Sequence, residues 1–270
     1  MSTGMSPGMS TVEYTRIGSG APLVLLHGIG MSRRAWDPVL PMLSRDFDVI
    51  AIDLPGFGDS SMPGDGRCDA GSLARAVGGL LDELGIEEPF LAGNSLGGWV
   101  ALELAAQRPV SGMTLLSPAG LWREGSPRYC RISLRASRWL SRRLARPLSV
   151  MVRWRWGRIA LLGQTHRRPW RLSADDARRV IGDMGSCPGF DANFAATTRT
   201  RYDASEPISC PTTVAFGSRD WLLRRRHSRH VERLTPGYRV AELPGCGHVP
   251  MSDDPAAVAA LITEMAAVRV

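Results

Sequence analysis

Five stretches of the chain are apolar without alternation: Leu23–Leu26, Val49–Ile52, Phe90–Ala92, Met113–Leu116 and Thr212–Phe216. An unbroken apolar run of this length describes a strand buried on both faces, the signature of a parallel sheet covered by helices. A β-like run at Val12–Ile17 and another at Arg239–Leu243 flank the set. Between them the apolar positions change to helical spacing. Over Ser72–Leu84 they fall at Leu73, Ala76, Val77, Leu80 and Leu81, with Ser72 as N-cap and Gly85 just past the C-terminus. Leu96–Gln107 is apolar nearly all round and is expected to be buried, and Pro255–Val268 closes the chain as an amphipathic helix. Strands alternating with helices imply βαβ units in a doubly wound α/β fold.

That rhythm stops between residues 121 and 205. The segment lacks strand–turn–helix signals and carries five of the eight tryptophans (Trp122, Trp139, Trp154, Trp156, Trp170), so it reads as a helical insert between two strands. The expected organisation is a tail at 1–10, a core of 11–120 and 206–270, and the insert at 121–205. Met1–Ser10 is small and polar, without the basic and apolar regions of a signal peptide.

Each of three apolar runs ends in a loop with chemistry in it. Gly93-Asn94-Ser95-Leu96-Gly97 fits G-x-S-x-G, and it follows a strand and opens a helix, the context that pattern needs. The strained turn holds a hydroxyl clear of the backbone, and glycines flank it because a Cβ there would collide with the neighbouring strand and helix. A serine hydroxyl requires a base. Of the five histidines, His248 lies on a Gly-flanked loop (Gly245-Cys246-Gly247-His248) after a strand-like run. His227 and His230 sit in an Arg-rich stretch and read as solvated, and His166 is in the insert. The base requires an acid to hold its tautomer. Asp220 follows the run ending at Phe216, whereas the corresponding loop Ser117-Pro118-Ala119-Gly120 contains no acid.

The order Ser95, Asp220, His248, together with His27-Gly28-Ile29-Gly30 and Asp53-Leu54-Pro55-Gly56-Phe57-Gly58-Asp59-Ser60, resembles the α/β-hydrolase superfamily over nearly the whole chain. The resemblance implies an oxyanion hole from the backbone N–H groups of Ile29 and Leu96 and a close-approach loop permitted by Gly28 and Gly30; no cofactor is expected, and no CxxC pair or His/Cys spacing suited to a metal appears. It also implies that His27 and Asp53 are structural and that the insert is a lid. The activity it implies is hydrolysis of an ester, lactone or thioester through an acyl-enzyme. Serine at the elbow argues against the haloalkane dehalogenase and epoxide hydrolase branches, which place aspartate there. Asn94 beside the serine resembles the carbon–carbon bond hydrolases of aromatic degradation, although those carry a tryptophan shortly after the histidine and this chain has Val249-Pro250-Met251-Ser252. Perhydrolase-type relatives share the triad, and a non-hydrolytic cyclase or binding protein on the same fold is a further alternative.

Composition adds two points. The five cysteines (Cys68, Cys130, Cys187, Cys210, Cys246) are odd in number and scattered, which reads as reduced thiols in a cytoplasm. No apolar run reaches the roughly 18–20 residues of a membrane span. All 33 basic residues are arginine and the net charge is +7. The excess is local, because residues 121–205 carry 18 arginines against 6 acids. Within them Arg131, Arg135, Arg138 and Arg142 share one helical face, and Ile132, Ala136, Trp139, Leu140 and Leu144 cover another. Three readings fit: a water-facing side of an amphipathic helix, recognition of an acidic substrate such as a carboxylate or a phosphopantetheine carrier, and attachment to an anionic membrane surface. Nothing resembling a nucleic-acid recognition module accompanies the charge. The partner expected is a small-molecule acyl substrate, anionic or carrier-bound in the second of these readings.

Overall fold

The computed structural model describes residues 11–203, 208–234 and 237–268. The expected tail at 1–10 and the expected insert boundary at 205/206 lie outside them.

Seven strands form one sheet in the order β1-β3-β2-β4-β5-β6-β7. They are β1 (Tyr14–Gly18), β2 (Ala21–Leu26), β3 (Phe47–Ile52), β4 (Phe90–Asn94), β5 (Gly112–Leu116), β6 (Thr212–Gly217) and β7 (Tyr238–Leu243). Among the described residues only β1 runs antiparallel, against β3, and every other pairing is parallel. The strand period of two divides the apolar runs between two cores. Val24, Leu26, Ile50 and Ile52 pack on one side of the sheet, and Leu23, Leu25, Val49 and Ala51 on the other.

A short helix α1 (Leu40–Leu43) precedes β3. Helices α2 (Ala70–Glu83) and α3 (Leu96–Ala105) cover the first face. The cap of α2 differs from expectation: Asp69 is the N-cap, accepting from the Ser72 N–H at 2.9 Å, and Ser72 lies within the first turn. The aspartate four residues before Leu73 offers a charged acceptor to the helix's free N–H groups, and Ser72 Oγ adds a second bond to it. Helix α3 is buried on nearly every side, as its composition requires.

Between β5 and β6 the chain forms five helices and, among the described residues, no strand. They are α4 (Arg128–Arg143), α5 (Ala145–Met151), α6 (Arg155–Leu162), α7 (Ala174–Ser186) and α8 (Phe190–Thr197). Leu148, Val152, Leu162, Ala177 and Ile181 give this region a small core of its own. After β6 come the short α9 (Arg225–Ser228), and after β7 the short α10 (Pro250–Asp253) and α11 (Pro255–Ala267), whose apolar side covers the second face of the sheet.

Helix α4 reverses part of the expected orientation. Arg138 is 8% exposed, while Ile132 and Trp139 are 59% and 58% exposed. The reason is a demand for donors inside. The guanidinium of Arg138 donates to the carbonyls of Met184 and of Cys187 (2.8 Å), where α7 ends and its last carbonyls have no helical partner, and it stacks on Phe190 at 5.3 Å. The reading of a wholly water-facing arginine side therefore fails at Arg138, and the apolar side is open to solvent at Ile132 and Trp139. No described helix is long and apolar enough to cross a membrane.

Candidate active site

Three parallel strands deliver the candidate residues to the carboxyl edge of the sheet, where open α/β sheets place their ligands. Ser95 lies in the single-residue turn between β4 and α3, at φ 54° and ψ −114°, a conformation rare for a residue with a Cβ. Its backbone is pinned on both sides: the Ser95 N–H donates to Leu116 O at 3.0 Å and the Ala119 N–H to Ser95 O at 2.9 Å. The flanking glycines are sterically required. A Cβ on Gly93 would lie 2.3 Å from Gly97 O, and one on Gly97 would lie 2.1 Å from Leu26 O.

Asp220 follows β6 and His248 follows β7. His248 Nδ1 and Asp220 Oδ2 are 2.9 Å apart, both residues buried. The second carboxylate oxygen accepts from the N–H groups of Leu222 (2.9 Å) and Leu223 (2.8 Å). Burial alone would raise the Asp220 carboxyl. The charge and hydrogen bond of His248 and the Leu223 N–H outweigh it, and the net effect holds the carboxyl below its ordinary range. An ionised Asp220 fixes the proton on Nδ1 of His248 and leaves Nε2 as the acceptor.

Ser95 and His248 line one narrow cavity of about 90 Å³. Gly28, Ile29 and Leu96 line it too, joined by the apolar side chains of Trp122, Leu134, Leu222 and Leu223. Leu96 opens α3, so its N–H has no carbonyl one turn back. Gly30 takes φ 69° in the adjoining loop, with Met184 of α7 against its Cα, so the loop and the inserted helices close on each other.

Asn94 lies behind the serine. Its amide donates to Leu116 O (3.0 Å) and to His248 O (2.9 Å), tying β4 to the end of β5 and to the histidine loop. His27 and Asp53 bond to backbone. The Leu54 N–H donates to His27 Nε2 at 3.0 Å, Nδ1 faces Gly28 O at 2.8 Å, and burial drives the imidazole's pKa down. Asp53 receives the N–H groups of Arg33 (2.6 Å) and Asp59 (2.9 Å) and pairs with the Arg33 guanidinium. His227 is exposed, and His230 pairs with Glu232 at 2.7 Å.

Three contributors have no signal in the sequence. His166, in the insert, is buried, lines the same cavity as His248, and is pushed down to about 4, chiefly by burial against the opposing charge of Asp253. Thr165 O accepts from the N–H groups of His248 (2.8 Å) and Val249 (3.1 Å). Asp253 accepts from Gly247 N (2.8 Å), Arg167 N (2.9 Å) and Arg168 N (2.7 Å), so one carboxylate ties the histidine loop to the insert. Asp253 stands in a polar run before a helix and reads as a cap, and nothing local announces a partner some 85 residues away.

A family model covers most of the chain. Residues 23–261 fit the alpha/beta hydrolase family. The chain belongs to that family. A pimeloyl-[acyl-carrier protein] methyl ester esterase of Aeromonas hydrophila is 28% identical over 255 residues, covering 91% of this chain and 95% of that protein. An epoxide hydrolase of Mycobacterium tuberculosis is 31% identical over 204 residues, covering 71% of this chain and 92% of that protein. Among solved structures, a thermophilic esterase from Thermogutta terrifontis superposes with a TM-score of 0.75 at 23% identity, over 96% of this chain and 94% of that one. Membership of this family and these relatives support hydrolase activity.

Proposed function

We propose that the protein is a serine esterase in which Ser95 is the nucleophile, His248 the general base and Asp220 the residue that orients it. The observation that carries this reading is the 2.9 Å contact between His248 Nδ1 and an Asp220 carboxylate anchored on its other oxygen, beside a cavity that both His248 and Ser95 line. His248 Nε2 takes the Ser95 hydroxyl proton as Oγ attacks the ester carbonyl. The tetrahedral oxyanion is received by the N–H groups of Ile29 and Leu96, each such donor being typically worth about 3 kcal/mol of barrier. The alcohol leaves with the proton from His248, and water activated by the same imidazole releases the acid.

A lining made largely of apolar side chains suits an acyl chain. Serine at the elbow separates this chain from hydrolases that attack epoxides with a carboxylate. Asn94, the feature shared with carbon–carbon bond hydrolases, has a structural task here in its bonds to Leu116 and His248, so its presence gives no support to that chemistry. Residues of α4, α7 and α8 line the cavity together with Ser95, which supports a lid role for the insert, and the scattered cysteines support a cytoplasmic setting.

A panel of p-nitrophenyl esters, lactones, thioesters and dienol-diones tests this assignment against wild type and Ser95→Ala. Ester turnover that disappears in Ser95→Ala is expected. Cleavage of the dienol-diones alone would replace the ester reading with the carbon–carbon one.

A further inference from the structure

Helix α4 borders two spaces. Cys130 and Leu134 line the cavity that holds Ser95 and His248. Arg131 and Arg135, each one position further and therefore about 100° around the helix, line a second, wider groove of about 720 Å³. Arg128 and Arg199 line it as well. Ser126 and Thr198 line both spaces, which therefore adjoin at this pair, and the Ser126 N–H and hydroxyl donate to Thr198 O at 3.0 and 3.2 Å.

The groove's charge is uncompensated. Four guanidiniums face a single carboxylate, Glu124, and none of the four forms an ion pair among the described residues. Acids of the insert are engaged elsewhere, Asp175 with Arg178 and Asp176 with Arg179. Two of the arginines are held in place. Arg131 donates to Ser126 O, and the Arg135 guanidinium lies 4.9 Å over the ring of Phe194. A guanidinium fixed by one nitrogen or by its face keeps its other N–H groups in the fork that matches a carboxylate or a phosphate. Exposed arginines on a convex surface need no ligand; four unpaired ones around a concavity that abuts a narrow apolar cavity describe a subsite.

We propose that this groove binds an anionic group, carboxylate or phosphate, at the far end of the acyl chain whose ester reaches Ser95. This rests on the esterase reading and adds to it the chemistry of the substrate: apolar in the cavity, negatively charged in the groove.

The test uses two series of p-nitrophenyl esters with four to ten carbons, one ending in a methyl group and the other in a carboxylate, with phosphate-ended counterparts. In wild type the charged members are expected to show lower KM, an advantage that shrinks in 0.5 M NaCl as exposed charge is screened. In Arg131→Gln/Arg135→Gln the ratio of charged to neutral kcat/KM is expected to fall about tenfold or more, and Arg131→Lys/Arg135→Lys to recover part of it. An unchanged ratio overturns the proposal. Calorimetric titration of octyl phosphate into Ser95→Ala protein, with and without the two Gln substitutions, reads the groove without turnover. Binding about tenfold weaker in the substituted protein supports the subsite even if Ser95→Ala retains esterase activity, a result that would end the esterase reading alone. Equal binding overturns the subsite. Substitutions that leave soluble esters and octyl phosphate unaffected but abolish co-sedimentation with phosphatidylglycerol vesicles also overturn it, and assign these arginines to a lipid surface.

Discussion

Both carboxylate oxygens of Asp220 are engaged, one by the imidazole of His248 and one by two backbone N–H groups. Asp220→Asn keeps the shape and reverses the donor pattern, so His248 is pushed toward the wrong tautomer. The expected loss in kcat on a neutral ester is roughly ~10⁴, as in related triads, with near-native circular dichroism; a loss below about tenfold would mean that another carboxylate serves. His166 gives a second residue-scale expectation. Its folded pKa of about 4 lies below the ordinary 6.5, so below pH 6.5 the unfolded chain takes up a proton that the folded chain refuses. Stability therefore falls as the pH drops from 6.5 to 4, by up to about 3 kcal/mol from this residue. Urea titrations across that window should show a shallower decline for His166→Asn than for wild type. Parallel curves would show that the imidazole is not held neutral. Ser95, Asp220 and His248 were readable as candidates from sequence because each follows a strand-like run and the types complement one another. His166 was not, because its burial depends on the packing of the insert.

At the scale of elements, the strands were legible and the inserted helices only partly so. An apolar run such as Leu23–Leu26 is buried on both faces, so its reading does not depend on which face meets the core. Helix α4 has two chemically distinct faces, and the pattern alone does not say which one turns inward. The carbonyls of Met184 and Cys187 decide the matter by drawing Arg138 inside. Arg138→Met removes their donor and leaves polar groups buried without partners, which costs about 1–3 kcal/mol for each such group. A lowered urea midpoint is expected, against a change within about 0.5 kcal/mol for Arg142→Met on the exposed side of the same helix. Equal effects would mean that the orientation of α4 is set by something other than these bonds.

At the scale of the whole molecule, the site is assembled across long separations. Ser95, Asp220 and His248 come from the ends of β4, β6 and β7, and the sheet order brings them to one edge. Asn94 and Thr165 then hold the two backbone groups of His248 from opposite sides, and Asp253 binds the histidine loop to the insert. Such pairings leave no local trace, which is why Ser95, Asp220, His248 and the adjacent Asn94 could be picked out from sequence as candidates, whereas Thr165 and Asp253 could not. Asp253→Ala should loosen that loop and lower kcat by as much as ~10²-fold, since small misplacements of a catalytic group carry that cost; an unaltered kcat would show that the other contacts suffice. The central claim, that Ser95 attacks the substrate, is read most directly by intact-protein and peptide mass spectrometry after treatment with a fluorophosphonate. A single adduct on the peptide carrying Ser95, absent in Ser95→Ala, is the predicted result. No adduct in wild type, or one on another residue, would contradict it.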